Sequence, residues 1–240
     1  MNFFSHAVFA AQRSDDPSYI VGSMAPDFAG MAGLRLRGVE GDAGLERGVA
    51  FHHRSDDAFH GAPIFVELME DARIELEDRG LGFGPAAAVG HVGVELILDG
   101  CLVDRLGGVP SSYREAMGGA ADLADRLVFH APRGRAPGGQ SPGTGDAEHG
   151  RDRWRYLCTR LALARFPQGY CEPQFVADRL VQILARRPRL AVAPGDEPEL
   201  LAWVQRARAT VAERSTALLE QVHARLAALE ATSTEAESPS

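Results

Sequence analysis

Histidines and carboxylates are concentrated in one stretch, FHHRSDDAFH, which begins at Phe51. It contains three of the chain's eight histidines and two of its aspartates. Residues four apart on an α-helix stand on one face, because they differ by only about 40° around its axis. His52, Asp56 and His60 have this spacing. The stretch therefore predicts half of a metal site, with Phe51 and Phe59 turned to the core, and a solvated polar helix face is the alternative.

The same spacing recurs in His91 and Glu95, which lie in a stretch rich in valine and leucine. Two further candidates come earlier: His6 lies among apolar residues, and Asp27 follows Pro26 in SMAPDF. Taken alone, His6 could be a hydrogen-bonded core histidine and Asp27 a helix N-cap. Imidazole with carboxylate suits zinc, manganese or iron, whereas calcium and magnesium prefer oxygen shells. Together the candidates could bind one to three divalent ions: His6, Asp27, His52, Asp56, His60, His91 and Glu95.

The composition limits the other chemistry open to this chain. Hydrophobic residues make up 45% and charged residues 24% of the 240 residues, so a core can form without disulfides. All 25 basic residues are arginine, which excludes a phosphate loop ending in Gly-Lys and a Schiff-base lysine. The net charge of -8 disfavours nucleic-acid and anionic-membrane partners. The three cysteines have no paired spacing and predict no zinc ribbon.

The first residues, MNFFSHAVFAAQR, have no basic lead and only a short apolar run that includes a histidine. This pattern is not that of a signal peptide, and no stretch is expected to be as long as a membrane span. Unpaired cysteines are typical of a reducing compartment. We therefore expect a cytoplasmic protein.

Hydrophobic periodicity predicts an all-α fold, a single-domain helical bundle with a metal site between its helices. YIVGSMAPDFAGM is interrupted by Gly22 and Pro26, so we expect a turn that leads into a short helix there. We also expect a glycine-rich loop at 30–45, and no strand anywhere. The other predicted helices cover 2–13, 46–79 in two pieces meeting near Gly61-Ala62-Pro63, 86–106, 111–131, 151–165, 173–186 and 196–230. The domain would span 1–230, with a flexible insertion at 131–150 and a disordered tail at 231–240.

Four short motifs occur in a recognisable order: NFFSH (2–6), GSMAPDF (22–28), HHRSD (52–56) and FVADRLVQILARRPRL (175–190). This order resembles the acyl carrier protein phosphodiesterase family, whose members carry N-F-[FL]-x-H, G-x-x-x-x-D-F and H-x-R-x-D and a segment ending in Arg-Arg-Pro-Arg-Leu. The resemblance spans most of the chain except 131–150 and the tail.

What the resemblance implies is a helical, metal-dependent enzyme of lipid metabolism, distantly related to the HD-type phosphohydrolases. Such enzymes release 4′-phosphopantetheine from holo acyl carrier protein, and manganese is their usual activator. The resemblance also implies metal-ligand roles for His6, Asp27, His52 and Asp56, and a place beside the site for Arg54.

The chain departs from this family at three of its candidate ligands. His60 stands where the family carries an aspartate, and His91 and Glu95 stand within its D-x-x-x-D-H. His-x-x-x-Asp-x-x-x-His followed by His-x-x-x-Glu is more similar to the zinc-dependent phospholipase C and single-strand nuclease superfamily. The Ala-Pro-Asp that ends at Asp27 is also similar to that group.

Three functions are therefore compatible with the sequence. The first is a phosphodiesterase that acts on holo acyl carrier protein through metal-activated water. Arg54 would donate hydrogen bonds to a phosphoryl oxygen, and Asp27 would act as a metal ligand or a general base. Because that partner is acidic, it would need an arginine surface such as Arg186, Arg187 and Arg189. The second is a hydrolase, similar to zinc-dependent phospholipase C, of a small phosphoester. The third is a non-catalytic helical metal-binding protein.

Overall fold

The structure is a computed structural model that describes residues 1–130 and 144–236. In these residues the chain forms nine α-helices and a two-stranded antiparallel sheet, which confirms the all-α class. The helices are α1 (Phe3–Ala11), α2 (Pro17–Met31), α3 (Ala43–His60), α4 (Pro63–Asp78), α5 (Phe83–Arg105), α6 (Ser111–Gly119), α7 (Thr144–Leu163), α8 (Pro173–Leu184) and α9 (Glu197–Ala236). The strands are β1 (Arg35–Val39) and β2 (Leu127–His130).

The chain divides into two compact units. One, here the α1–α2 unit, comprises residues 2–53 and 109–166. The other, the α4–α5 unit, comprises Met1 with residues 54–108 and 167–240. Helix α3 contributes its first part to the α1–α2 unit and its last turns to the α4–α5 unit.

Helix α2 is longer than the sequence predicted. Asp16 caps it by accepting a hydrogen bond from the backbone N–H of Ser18 at 3.0 Å, and Pro17 occupies the first turn. The helix then continues through Gly22 and Pro26, which we expected to break it. Burial explains the difference, because the α2 side chains from Tyr19 onward fill the core of this unit and offset the hydrogen bond lost at the proline.

Two glycines let α2 and α3 approach very closely. A Cβ on Gly22 would lie 2.3 Å from the carbonyl oxygen of Leu45 and 2.8 Å from the Cα of Gly48. A Cβ on Gly48 would lie 2.2 Å from the carbonyl oxygen of Tyr19. Backbone therefore packs against backbone at this crossing. The close approach brings the later turns of the two helices, which carry Asp27 and His52, side by side.

The small sheet corrects three predictions, one of which was that the chain would contain no strand. Residues 30–45 were expected to be loop, and 111–131 to be one helix. Instead β1 pairs with β2, with Leu36 opposite Phe129, and α6 ends at Gly119. Leu36 and Phe129 pack on a small buried cluster that includes Leu34. Strands this short show no periodicity that a sequence pattern could detect, and Gly118 with Gly119 disfavours continuing the helix.

In the α4–α5 unit, α5 packs against α4, α8 and α9. Two glycines on α5 make room for these contacts. A Cβ on Gly93 would lie 2.6 Å from the ring of Trp203 on α9, and one on Gly100 would lie 2.2 Å from the carbonyl oxygen of Tyr170. The two pieces expected between 46 and 79 are present as α3 and α4, on either side of the predicted Gly61-Ala62-Pro63 junction.

Helix α5 also corrects the statement that no stretch is as long as a membrane span. It has 23 residues, and by length and composition alone it could cross a membrane, with a mean hydropathy of 1.6 over its most apolar window. Within this structure 67% of that window is buried. The core helix of a soluble protein passes the same test, so α5 by itself is weak evidence for a membrane protein.

Two predicted flexible segments are partly helical. Residues 144–150, assigned to the insertion at 131–150, belong to α7, and residues 231–236, assigned to the tail, belong to α9. The remaining parts, 131–143 and 237–240, lie outside the described residues. The first assignment depended on a Gly/Pro-rich sequence without periodicity and the second on a polar sequence, and neither feature prevents an adjacent helix from extending into the segment.

Candidate metal centres

Two groups of side chains could each bind a metal ion. The first, the His60 cluster, consists of His60 from the end of α3 and of His91 and Glu95 from α5. The second, the His6 cluster, consists of His6 from α1, Asp27 from α2 and His52 from α3.

The His60 cluster is an equilateral triangle of potential ligand atoms. The Nε2 atoms of His60 and His91 are 3.2 Å apart, and each lies 3.2 Å from Oε1 of Glu95. Ligands 2.0–2.1 Å from an ion are separated by about 3.3 Å on a tetrahedral face and about 3.0 Å on an octahedral face. The triangle thus has the dimensions of one face of a coordination shell for zinc, manganese or iron.

The tautomer of His60 is set by Asp56, one helical turn earlier. Nδ1 of His60 lies 3.0 Å from the backbone carbonyl oxygen of Asp56 and 3.2 Å from Oδ2 of its carboxylate. A proton on Nδ1 satisfies either acceptor, so the lone pair of Nε2 can point into the triangle. Orientation of a ligating histidine through its other ring nitrogen is a general feature of metal sites. Phe65 adds an apolar wall, with its ring edge-on to His60 and His91 at 5.3 and 5.5 Å.

In the metal-free protein, His60 and Glu95 each shift the pKa of the other. Hydrogen bonds to Asp56 and Glu95 raise the pKa of His60 to about 9. Burial alone would raise the pKa of Glu95, but the Met1 ammonium, 3.5 Å from its Oε1, and contacts with His60 and His91 outweigh it and hold that pKa well below its usual range. Without a metal, a proton on His60 therefore bridges the same atoms that would hold an ion.

The imidazoles of the His6 cluster are buried, whereas those of the His60 cluster are partly exposed. His6 is 0% and His52 7% exposed, whereas the side chains of His60 and His91 are 32% and 40% exposed. The potential ligand atoms of His6, Asp27 and His52 all lie within 4.8 Å of one another. Two ligand atoms of one ion lie at most about 4.2 Å apart. Side-chain movements of less than about 1 Å would therefore bring these three atoms within binding distance of one ion.

His52 is oriented in the same way as His60. Its Nδ1 lies 2.9 Å from the backbone carbonyl oxygen of Ser23, which directs the Nε2 lone pair away from α2's backbone. The ring of His6 lies against that of His52 with centroids 4.0 Å apart. Sequence reasoning missed Ser23 and Phe65, since neither a backbone carbonyl nor a neighbouring ring leaves a spacing signal.

The structure brings together six of the seven predicted ligands, three in each cluster. Asp56 is the seventh, and it lies beside His60 with its Oδ1 2.7 Å from the Met1 ammonium. Asp27 lies in the interior of α2 and is not an N-cap. Phe51 and Phe59 are fully buried, as predicted.

The two predicted groups of arginines are differently placed. Arg54 is half-buried on α3, and among the described residues its Nε has no hydrogen-bond partner. Arg186, Arg187 and Arg189 are exposed just after α8.

No protein-family model, no curated protein and no solved structure matches the chain. The resemblance described above therefore stands on its motifs alone.

Proposed function

We propose that this protein is a metal-dependent phosphodiesterase with the His60 cluster as its catalytic centre. The supporting observation is the 3.2 Å triangle of two imidazole nitrogens and one carboxylate oxygen. Three protein ligands leave a coordination position open, as in catalytic rather than structural metal sites. A divalent ion held there would polarise a phosphoryl oxygen and lower the pKa of a bound water.

The chain's own residues prepare this site in three ways. Asp56 holds Nδ1 of His60, so that Nε2 faces the site with its lone pair. Phe65 shields one side of both imidazoles from water. In this proposal Arg54, on the same helix as His60, supplies a planar pair of donors for a phosphoryl oxygen, and Asp27 is a ligand in the separate His6 cluster.

The substrate proposed is holo acyl carrier protein, from which hydrolysis would release 4′-phosphopantetheine. Support comes from the order of the motifs, which resembles that of the acyl carrier protein phosphodiesterase family, with manganese as the expected activator. The exposed Arg186, Arg187 and Arg189 offer a surface to an acidic partner. A cytoplasmic location and the absence of nucleic-acid partners belong to the same proposal.

The test is intact-protein mass spectrometry of holo acyl carrier protein incubated with the protein and manganese. We expect loss of the phosphopantetheine mass with the wild type, and a loss of rate of at least about 100-fold with His91→Ala. His223→Ala, which removes an exposed histidine of α9, is the matched control and should retain full activity. An unchanged mass in metal-loaded wild type would reject this substrate.

A small phosphoester is the second candidate substrate, and the spacing of His60, His91 and Glu95 favours it. That spacing is more similar to the zinc-dependent phospholipase C and single-strand nuclease superfamily. Hydrolysis of bis(p-nitrophenyl) phosphate or of a short-chain phospholipid with zinc, together with an unchanged carrier protein, would favour this alternative. If neither substrate is cleaved by protein shown to contain metal, the non-catalytic metal-binding function is the one that remains.

A further inference from the structure

The two clusters differ in how far their histidines are exposed to solvent, and this difference affects how fast a bound ion could exchange with solution. Each ligand of the His6 cluster comes from a different helix, and both of its imidazoles are buried. The His60 cluster takes two of its three ligands from successive turns of α5, and its imidazoles are about one-third exposed. A chelator or a water molecule can therefore reach the imidazoles of the His60 cluster directly, whereas in the His6 cluster only the half-buried Asp27 is open to solvent.

The packing around the His6 cluster leaves little room for its ligands to separate. Gly22 and Gly48 hold α2 and α3 in backbone contact. The bond from His52 to the Ser23 carbonyl ties α3 to α2 next to the cluster. His6 is fully buried, as are Phe3, Phe4 and Phe9 on the same helix. An ion bound by these ligands could separate from both buried imidazoles only when the junction of α1, α2 and α3 opens.

We propose that the His6 cluster binds a divalent ion that stays bound while an ion at the His60 cluster exchanges with solution. The retained ion would join α1, α2 and α3 and stabilise the α1–α2 unit, because ligand binding to the folded state alone adds to its stability. Its exchange is limited by local opening of a buried junction, whereas exchange at the His60 cluster is limited by access to exposed ligands.

A consequence for activity follows if the proposed function holds. Turnover would depend on the free concentration of the exchanging ion, and chelation would switch the enzyme off without unfolding it. The difference in exchange rate between the two ions does not depend on the reaction. It can therefore be tested separately from the choice of substrate.

Chelator kinetics on the zinc-loaded full chain test the proposal. The metal released to a large excess of a chromogenic chelator is followed over time, and the metal retained after rapid desalting is measured by mass spectrometry. We expect two phases, with one ion per chain released at least about 100-fold more slowly than the other. Circular dichroism should show that the fold is unchanged after the fast phase. Release of all metal in one phase would overturn the proposal without any variant.

Variants assign each phase to a cluster. His91→Ala should abolish the fast phase and leave the slow one, and Asp27→Asn, which keeps the side-chain shape, should abolish or strongly accelerate the slow phase. Asp57→Asn on the exposed side of α3 is the matched control and should change neither. A slow phase that is lost in His91→Ala, or unchanged in Asp27→Asn, would also overturn the proposal. Failure to cleave holo acyl carrier protein, with both phases intact, would reject only the proposed function.

Discussion

At the residue scale, the chemistry of this protein depends on which nitrogen of each histidine is free. In His52 and His60 alike, Nδ1 faces a backbone carbonyl oxygen, of Ser23 and Asp56 respectively. For His60 the carbonyl belongs to its own helix, and for His52 it belongs to the neighbouring helix α2. In both histidines this leaves the Nε2 lone pair available to a metal ion. The residue type decides which atoms can bind a metal, but the neighbouring groups decide whether the histidine has the tautomer and orientation that binding needs.

The charge on His60 leads to a prediction about the metal-free protein. Its folded-state pKa is raised above the ordinary histidine value to about 9, mainly by Asp56 and then by Glu95. A raised pKa means that the folded state binds the proton more tightly, so this stabilisation is complete below about pH 6.5 and is lost as the pH rises towards 9. The melting temperature of chelator-treated protein should therefore fall over this range.

His60→Gln provides the comparison for that measurement. Glutamine retains hydrogen-bonding capacity but does not titrate, so the variant should show a smaller fall in melting temperature between pH 6.5 and 9. Equal pH profiles for wild type and His60→Gln would show that the charge on His60 does not contribute to folding. The experiment needs no substrate and no metal.

At the element scale, the close crossing of α2 and α3 is the feature that assembles the His6 cluster. Asp27 and His52 lie beyond the point at which Gly22 and Gly48 bring the helix backbones together. Only glycine permits this distance, because a Cβ at either position would overlap backbone atoms that cannot move aside as a flexible side chain can.

Gly22→Ala should therefore separate the helices. We expect a loss of about 1–3 kcal/mol in the free energy of unfolding, measured with urea, together with weaker metal binding at the His6 cluster. Gly30→Ala is a matched control in the same helix, since a Cβ there meets nothing within 4 Å. It should be neutral or stabilising by up to about 1 kcal/mol, because alanine has the higher helix propensity. Equal stability of the two variants would contradict the role given to the crossing.

At the scale of the whole molecule, each compact unit has cysteines that can report on its opening. Cys158 belongs to the α1–α2 unit, and Cys101 and Cys171 belong to the α4–α5 unit. Burial raises the pKa of the Cys158 thiol to about 12, and burial with a contribution from Asp104 raises that of Cys171 to about 11. Burial also raises the pKa of Cys101. All three thiols are thus protonated near neutral pH.

We expect slow modification of these thiols in the folded protein at pH 8, slowest at the fully buried Cys158, because the thiolate is the reactive form. Labelling at increasing urea concentration, read by peptide mass spectrometry, should show one transition for Cys158 and one for Cys101 and Cys171. Whether the two transitions coincide tells whether the units unfold together. Rapid labelling of Cys158 without urea would contradict the burial described here.

Much of the fold and of the candidate sites was accessible from the sequence. The helical class, the junction near Gly61 and the shared helix faces of His52 with Asp56 and of His91 with Glu95 follow from patterns that are local in the chain. The strands at 35–39 and 127–130 were missed, since their pairing joins segments far apart in the chain. The continuation of α2 through Pro26 was missed because burial outweighed a local preference.

By itself, the sequence determined what kinds of ligand are present and which of them share a helix face. His91 and Glu95 stand together because an α-helix repeats every 3.6 residues, whatever surrounds it. Only the tertiary structure decided that His60 joins that pair while His52 joins His6 and Asp27. Spacing within a helix orients a side chain relative to its own axis, but the packing of helix against helix decides which side chains meet.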